Sequence, residues 1–326
     1  MDYTKTSLKE IYSEKLPLFN RACINIKEAL NIFLKDEDIS FLTISSRVKD
    51  FKSFYEKIDR KSYENPFEEN EDFCGIRVVL YYLKDVEKVN DIIKNEFNIQ
   101  NDEDKADKLE VNEFGYRSHH FIIKIKDKWL VTPNYRGLGD IKIEIQVRTV
   151  LMHAWAEIEH KLGYKNKDQV PKSLKRKLFV ISAKLEEADE QFQDLKININ
   201  NYKDELIVKA TKSGRFHSNE FDLNAFQALL DYYFPDHEKH SMMTNELFNQ
   251  IKKEELSLEE VINYAEKIKP MSQVIDNMIF GEKSNLKTIQ SNLLQYAIDA
   301  FYPKETQRKP SEGRKRIIKE IQKLSG

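Results

Sequence analysis

The chain has 326 residues, of which 40% are apolar and 11% aromatic, enough for a packed interior and against a wholly disordered polypeptide. A third of the residues are charged but the formal net charge is -2, so the molecule as a whole is not a polycation built to coat nucleic acid. Its two cysteines, Cys23 and Cys74, lie outside any CxxC pair and no long apolar run is present, which argues against a disulfide framework, a cysteine-ligated zinc and a membrane span; a soluble cytoplasmic protein is expected.

In chain order, the first 36 residues predict helix, since Leu8, Ile11, Tyr12, Leu16, Phe19, Cys23 and Ile26 recur at three- and four-residue intervals. Pro17 is expected to bend or split it. A second amphipathic helix is predicted to start near Arg47, after capping residues in Thr43–Ser46. The β-branched and aromatic run Gly75–Tyr82 predicts a buried strand, and Asp85–Phe97 a helix returning across it. Ser118–Lys126 and Ile141–Arg148 predict two further strands, with Glu144, Gln146 and Arg148 sharing one face of the latter. From Val150 onward nearly everything predicts helix: a long segment over Leu174–Ile197, then shorter ones near 222–234, 243–254, 257–268, 284–301 and 311–324. The expected fold class is α+β, with a sheet domain over residues 1–200 and an all-helical extension of unassigned role over 201–326.

Three polar clusters fall on separate elements of the sheet domain. Arg47, Lys49, Ser53 and Lys57 place three cations and a hydroxyl close together, able to grip a polyphosphate or to form a solvated helix face. Asp72 precedes one apolar strand and Glu144 interrupts another. A mid-strand carboxylate is costly to bury unless it is paired or coordinates a cation, and two of them suit Mg²⁺; pairing of Glu144 with Arg148 is the plainer alternative. In the stretch Phe114–His120, Gly115 next to Tyr116 could let a base stack on the ring, with His120 on the following strand as a polar contact. The helix containing His153, Glu157 and His160 has neither the two histidines four apart of a zinc protease nor a second E-x-x-H, so it is expected to pack Trp155 and Ile158 inward and send its charges into the neighbouring site instead of binding a metal.

Taken in order, RVKDFKSFYEK (47–57), DFCGIRV (72–78), GYRSHH (115–120), EIQVRT (144–149) and MHAWAEIEHKLGYK (152–165) resemble the synthetase domain of the RelA/SpoT family, the synthetases of the stringent-response alarmones ppGpp and pppGpp. The resemblance covers approximately residues 40–200. It implies a nucleotidyltransferase-like mixed β-sheet flanked by helices, and a Mg²⁺-dependent transfer of pyrophosphate from ATP to the 3′-hydroxyl of GDP or GTP with release of AMP. By motif position it implies that Arg47 covers the adenine while Lys49, Ser53 and Lys57 hold the ATP phosphates, with Arg77 as a further phosphate contact. Asp72 and Glu144 would bind the metal, and Glu144 would help to deprotonate the acceptor hydroxyl. Tyr116 would stack on the acceptor base, with His120, Gln146 and Arg148 completing that side.

Two departures from the family pattern stand out, the first of which bears on the acceptor. Many family members carry a Pro-Lys pair before the Gly-Tyr, where this chain has Val111-Asn112-Glu113-Phe114 and no basic residue. The His-Asp dipeptide of the family's hydrolase half is absent and only about 40 residues precede the motifs, so a short, synthesis-only member is expected. Some short members instead modify the 3′ end of tRNA, and Lys304–Lys323 holds eight Lys/Arg against three Glu, a balance that could meet a phosphate backbone. The apolar side made by Ile317, Ile318, Ile321 and Leu324 favours simple docking of that helix. A catalytically inactive nucleotide- or RNA-binding module is the alternative from another class, and a homo-oligomer through the helical regions is a further expectation.

Overall fold

The computed structural model describes residues 4–104, 118–161, 172–302 and 311–325. The chain divides into two compact units, Met1–Leu195 and Lys196–Gly326. Among the described residues no helix is long and apolar enough to cross a membrane.

The first unit is built on a five-stranded sheet of order β1-β2-β5-β4-β3: β1 (Phe41–Val48), β2 (Cys74–Leu80), β3 (Asn98–Asp104), β4 (His119–Lys124) and β5 (Ile143–Thr149). The central pair, β2 and β5, runs parallel, and the other neighbours are antiparallel. One face is apolar throughout: Ile76, Val78, Leu80, Phe121, Ile123, Ile143, Ile145 and Val147 are all buried. Against that core packs α1 (Lys5–Asp36), whose Thr4 and Ser7 form a capping box. Pro17 lies inside this helix and does not split it. The proline gives up one intrahelical hydrogen bond, but Tyr12 on one side of it and Phe19, Cys23 and Ile26 on the other are buried in one core, which holds the two halves as a single element.

Two strands escaped the sequence reading. β1, FLTISSRV, sits at a sheet edge with only Ile44 buried, so its apolar alternation is faint. β3, NIQNDED, is polar and acidic, poor in strand formers, and is held by pairing with β4 alone. Charge on an edge strand discourages pairing with other chains. Arg47 accordingly belongs to a strand and not to the start of a helix. The helix begins at Phe51, as α2 (Phe51–Lys61), because Asp50 caps it: Oδ1 accepts the Ser53 N–H at 2.9 Å. Its single buried residue, Phe54, enters a ring cluster with Phe73, Phe67 and Tyr12. Short α3 (Pro66–Glu69), then α4 (Leu83–Glu96), short α5 (Asp127–Leu130) and α6 (Val150–Lys161) follow in the chain. On α6 Trp155 is buried as expected, whereas Ile158 is exposed, because only one side of this helix meets the sheet. The long helix α7 (Lys172–Ser213) runs well past its predicted end and contributes to both units.

The second unit is all-helical: α8 (Leu223–Tyr233), α9 (Ser241–Lys253), α10 (Leu258–Ile268), a 3₁₀ turn at Lys269–Met271, α11 (Ser272–Phe280), α12 (Gln290–Phe301) and α13 (Glu312–Leu324). Its core gathers Phe226, Leu230, Phe234, Ile251, Ile262, Leu293 and Leu294. The helix expected over 284–301 starts only at Gln290. Before it, Thr288 N–H donates to buried Asp276 at 2.8 Å and Ile289 forms an isolated bridge with Glu238. On α13, Ile317 and Ile321 are buried, so the apolar side of the basic C-terminal segment docks on its own unit.

Candidate active site

Cross-strand partners in a sheet project to the same side. The register pairs Arg47 with Gly75, Gly75 with Glu144, Arg77 with Gln146, and His120 with Gln146. Arg47, Arg77, Glu144, Gln146, Arg148 and His120 therefore share one face, opposite the apolar core. Arg47 lies across Gly75, where a Cβ would make only an ordinary contact with Arg47 Cγ at 3.7 Å.

Beside this face lies the stretch from Lys49 to Lys57. Lys49 is fixed through its backbone, its N–H donating to Phe73 O at 2.9 Å and its carbonyl accepting the Tyr12 hydroxyl at 2.7 Å. Its ammonium lies 3.0 Å from Asp72 Oδ2, and that of Lys57 lies 3.0 Å from Asp72 Oδ1. Asp72 is thus held between two cations from either end of one cap-and-helix segment. Oδ1 is buried, and none of its neighbours, Lys57 included, is aligned to hydrogen-bond it. Ser53 is turned toward its own cap, its hydroxyl donating to Asp50 Oδ2 at 2.7 Å.

Glu144 is largely buried, and burial pushes its carboxyl toward the neutral form. The hydrogen bond and charge of His120, the Gln146 side chain and the charge of Lys57 outweigh this, so its pKa is held below the usual glutamate value. His120 Nδ1 lies 3.1 Å from Glu144 Oε1, and Ser118 Oγ lies 2.8 Å from Nε2. An ionised carboxylate only accepts, which puts the proton on Nδ1; in the neutral imidazole Nε2 then accepts from the Ser118 hydroxyl. The neighbouring His119 projects to the other side of the sheet, stacks on Phe121 and pairs with Asp102.

Farther along the face, Arg77 Nη1 donates to Glu157 Oε1 of α6 at 2.8 Å, and Arg148 donates to Gln146. Burial and the charges of Arg77 and Arg148 lower the pKa of His153, on the first turn of α6, against the opposing pull of Glu157. Thr149, at the end of β5, donates from Oγ1 to buried Asp189 of α7 at 2.5 Å, anchoring the strand that carries Glu144.

Of the residues singled out from the sequence, the structure groups Lys49, Lys57, Asp72, Glu144 and His120, and sets Arg47, Arg77, Gln146 and Arg148 on the same sheet face. Tyr116, with the whole 105–117 stretch, lies outside the described residues. Glu157 and His153 had no individual role assigned from the sequence, although their helix was expected to send its charges into the neighbouring site, as Glu157 does toward Arg77. The Glu157–His160 spacing does not make a metal motif, and the signal that remains is a carboxylate one helical turn after His153 on α6, meeting Arg77 of β2. Among the described residues no group of three or more His, Cys, Asp or Glu side chains converges as a metal cage.

Residues 46–169 match the model of the region found in RelA / SpoT proteins. The chain is 27% identical over 177 residues to GTP pyrophosphokinase YjbM of Bacillus subtilis (strain 168), spanning 53% of this chain and 81% of the relative. It is 34% identical over 135 residues to GTP pyrophosphokinase YwaC of the same organism, 40% of this chain and 61% of the relative. Among solved structures it is similar to small alarmone synthetase 1 from Bacillus subtilis, with a TM-score of 0.50 at 27% identity, covering 59% of this chain and 99% of that one.

Proposed function

We propose that this chain, with its RelA/SpoT region over residues 46–169, transfers the β,γ-diphosphate of ATP to the 3′-hydroxyl of GDP or GTP, making ppGpp or pppGpp and releasing AMP in the cytoplasm. The observation that carries this reading is the pairing of Asp72 with both Lys49 and Lys57 at 3.0 Å, beside an ionised Glu144. Diphosphate transfer asks the protein for charge neutralisation and in-line positioning more than for a covalent intermediate.

In the reaction the acceptor 3′-oxygen forms a bond to the β-phosphorus while the bond from that phosphorus to the bridging α,β-oxygen breaks, and AMP leaves with the electron pair. Lys49 and Lys57 supply positive charge at the triphosphate, exchanging Asp72 for phosphate oxygens. Arg47, lying across Gly75, offers a planar cation to the adenine. Glu144 accepts the hydrogen bond of the incoming hydroxyl and takes up its proton, and His120, fixed by Ser118, holds that carboxylate in place. Gln146, Arg148 and, from outside the described residues, Tyr116 make up the acceptor side.

The donor set fits Mg²⁺. Asp72 offers a buried oxygen without an aligned hydrogen bond, and Glu144 a second carboxylate, the sparse protein ligation that Mg²⁺ takes when substrate phosphates complete its shell. Bound there with ATP, the ion would neutralise charge on the transferred phosphates.

The test is one incubation of the protein with γ-labelled ATP and Mg²⁺, offering GDP, GTP or tRNA in turn. Label in a guanosine tetra- or pentaphosphate supports the proposal. Label on tRNA moves the acceptor to RNA, and ATP binding without transfer reduces the chain to a binding module. Docking of α13 through Ile317 and Ile321 accounts for the apolar side of the basic tail without an RNA partner.

A further inference from the structure

Helix α6 continues directly from the strand that carries Glu144: β5 closes at Thr149 and α6 opens at Val150. Two helical turns further on stands Glu157, whose Oε1 accepts from Arg77 Nη1 of β2 at 2.8 Å. His153, one turn earlier on the same side of α6, has its Nδ1 at 4.0 Å from that oxygen. Burial and the charges of Arg77 and Arg148 lower the pKa of the His153 ring, so at neutral pH it does not compete with the guanidinium for Glu157. Among the described residues no other basic side chain comes within ion-pair distance of Glu157.

A half-exposed ion pair adds little to stability, and the Glu157 side chain is 51% exposed. Its consequence is for the direction in which Arg77 points. Arg77 sits on the site face of the sheet, opposite Gln146 and two residues along β2 from Gly75, across which Arg47 lies. An arginine is long and rich in rotamers, and a free one loses that freedom when it binds. Glu157 engages Arg77 through Nη1 alone. Among the described residues Nε and Nη2 make no hydrogen bond or ion pair. The guanidinium is held by one corner, and its remaining donors and flat faces stay open to a ligand on the sheet face.

We infer that Glu157 is a positioning residue for ATP, holding Arg77 in the orientation in which its guanidinium meets the nucleotide. The inference rests on the proposed reaction, with Arg77 as a further contact to ATP. Fixing one rotamer-rich side chain before the ligand arrives is worth about two- to tenfold in affinity, because the freedom is given up before binding and not during it. A carboxylate that competed with phosphate for Arg77 would act in the opposite direction. The sign of the change therefore decides between the two.

Equilibrium binding of α,β-methylene ATP with Mg²⁺ to the full chain, without an acceptor, tests this alongside initial rates. Glu157→Ala is expected to weaken binding of the analogue and to raise KM for ATP, each about two- to tenfold, with kcat at saturating ATP and the melting temperature little changed. Glu157→Gln keeps an acceptor oxygen and should recover most of the loss. In an Arg77→Ala background Glu157→Ala should have no further effect, since the side chain it orients is gone. Unchanged or tighter binding in Glu157→Ala overturns the inference, and so does an equal loss in the Arg77→Ala background. Transfer to no acceptor, with the analogue still bound and the binding differences intact, overturns the proposed reaction alone. A wild-type chain that binds no analogue overturns both.

Discussion

Lys57 serves two carboxylates at once: its ammonium lies 3.0 Å from Asp72 Oδ1, and its charge also helps to hold Glu144 ionised. One ammonium thus acts on both acidic groups, by direct contact on Asp72 and by its charge on Glu144. Asp72→Ala or Glu144→Ala should cut turnover at least ~10³-fold, about 4 kcal/mol of barrier, with melting little changed. Steady-state kinetics beside a thermal scan makes the comparison. Near-normal turnover in either variant would remove that carboxylate from the chemistry.

The His120 contact should be visible in the pH profile. Burial alone would raise the Glu144 pKa, and the hydrogen bond and charge of His120 are the largest opposing influences. In the wild type Glu144 therefore ionises below the ordinary glutamate value of about 4.3. Its contribution to stability is present above that value and lost as pH falls through the depressed one. His120→Ala should move the acid limb of kcat/KM to higher pH. An unmoved limb would show that His120 does not set the state of Glu144.

Phe54 is the one buried residue of α2, and it anchors the helix that carries Lys57. Phe54→Ala should cost about 3–5 kcal/mol, the usual range for emptying a packed aromatic site. It should also raise KM for ATP, because the helix loses its only deep contact. Chemical denaturation and initial rates on the same preparation separate the two effects.

In the second unit, burial pushes the Asp276 carboxyl up, but hydrogen bonds from Thr288, the charge of His237 and a hydrogen bond from Lys287 bring it below the usual aspartate value. The ionised form therefore stabilises the fold above the ordinary pKa of about 3.9, and this is lost as pH falls through the lowered one. Asp276→Ala leaves His237 without its carboxylate and should destabilise the unit by about 3 kcal/mol. Hydrogen exchange across 234–240 and 284–290 would report it, with faster exchange expected there first.

The sequence was most readable where burial is one-sided and regular. β5 shows why: Ile143, Ile145 and Val147 alternate with Glu144, Gln146 and Arg148, so both core and site face could be placed before any coordinates. Arg47 was misplaced because an edge strand with Thr43, Ser45 and Ser46 has the composition of a helix cap. The cap proved to be Asp50, three residues before the serine it binds. β3 was unreadable for a different reason, since its stability comes from its neighbour β4 and not from its own acidic residues. The Arg77–Glu157 ion pair joins residues 80 apart, a relation that local periodicity does not encode.

The adjacent histidines of β4 give a paired reporter in one peptide. A ring-modifying reagent should meet His120 in competition with nucleotide, while His119, on the opposite face of the sheet and stacked on Phe121, would mark background reactivity in the same molecule. Protection of one without the other would then measure site occupancy with its own internal control, independent of protein concentration or reagent dose.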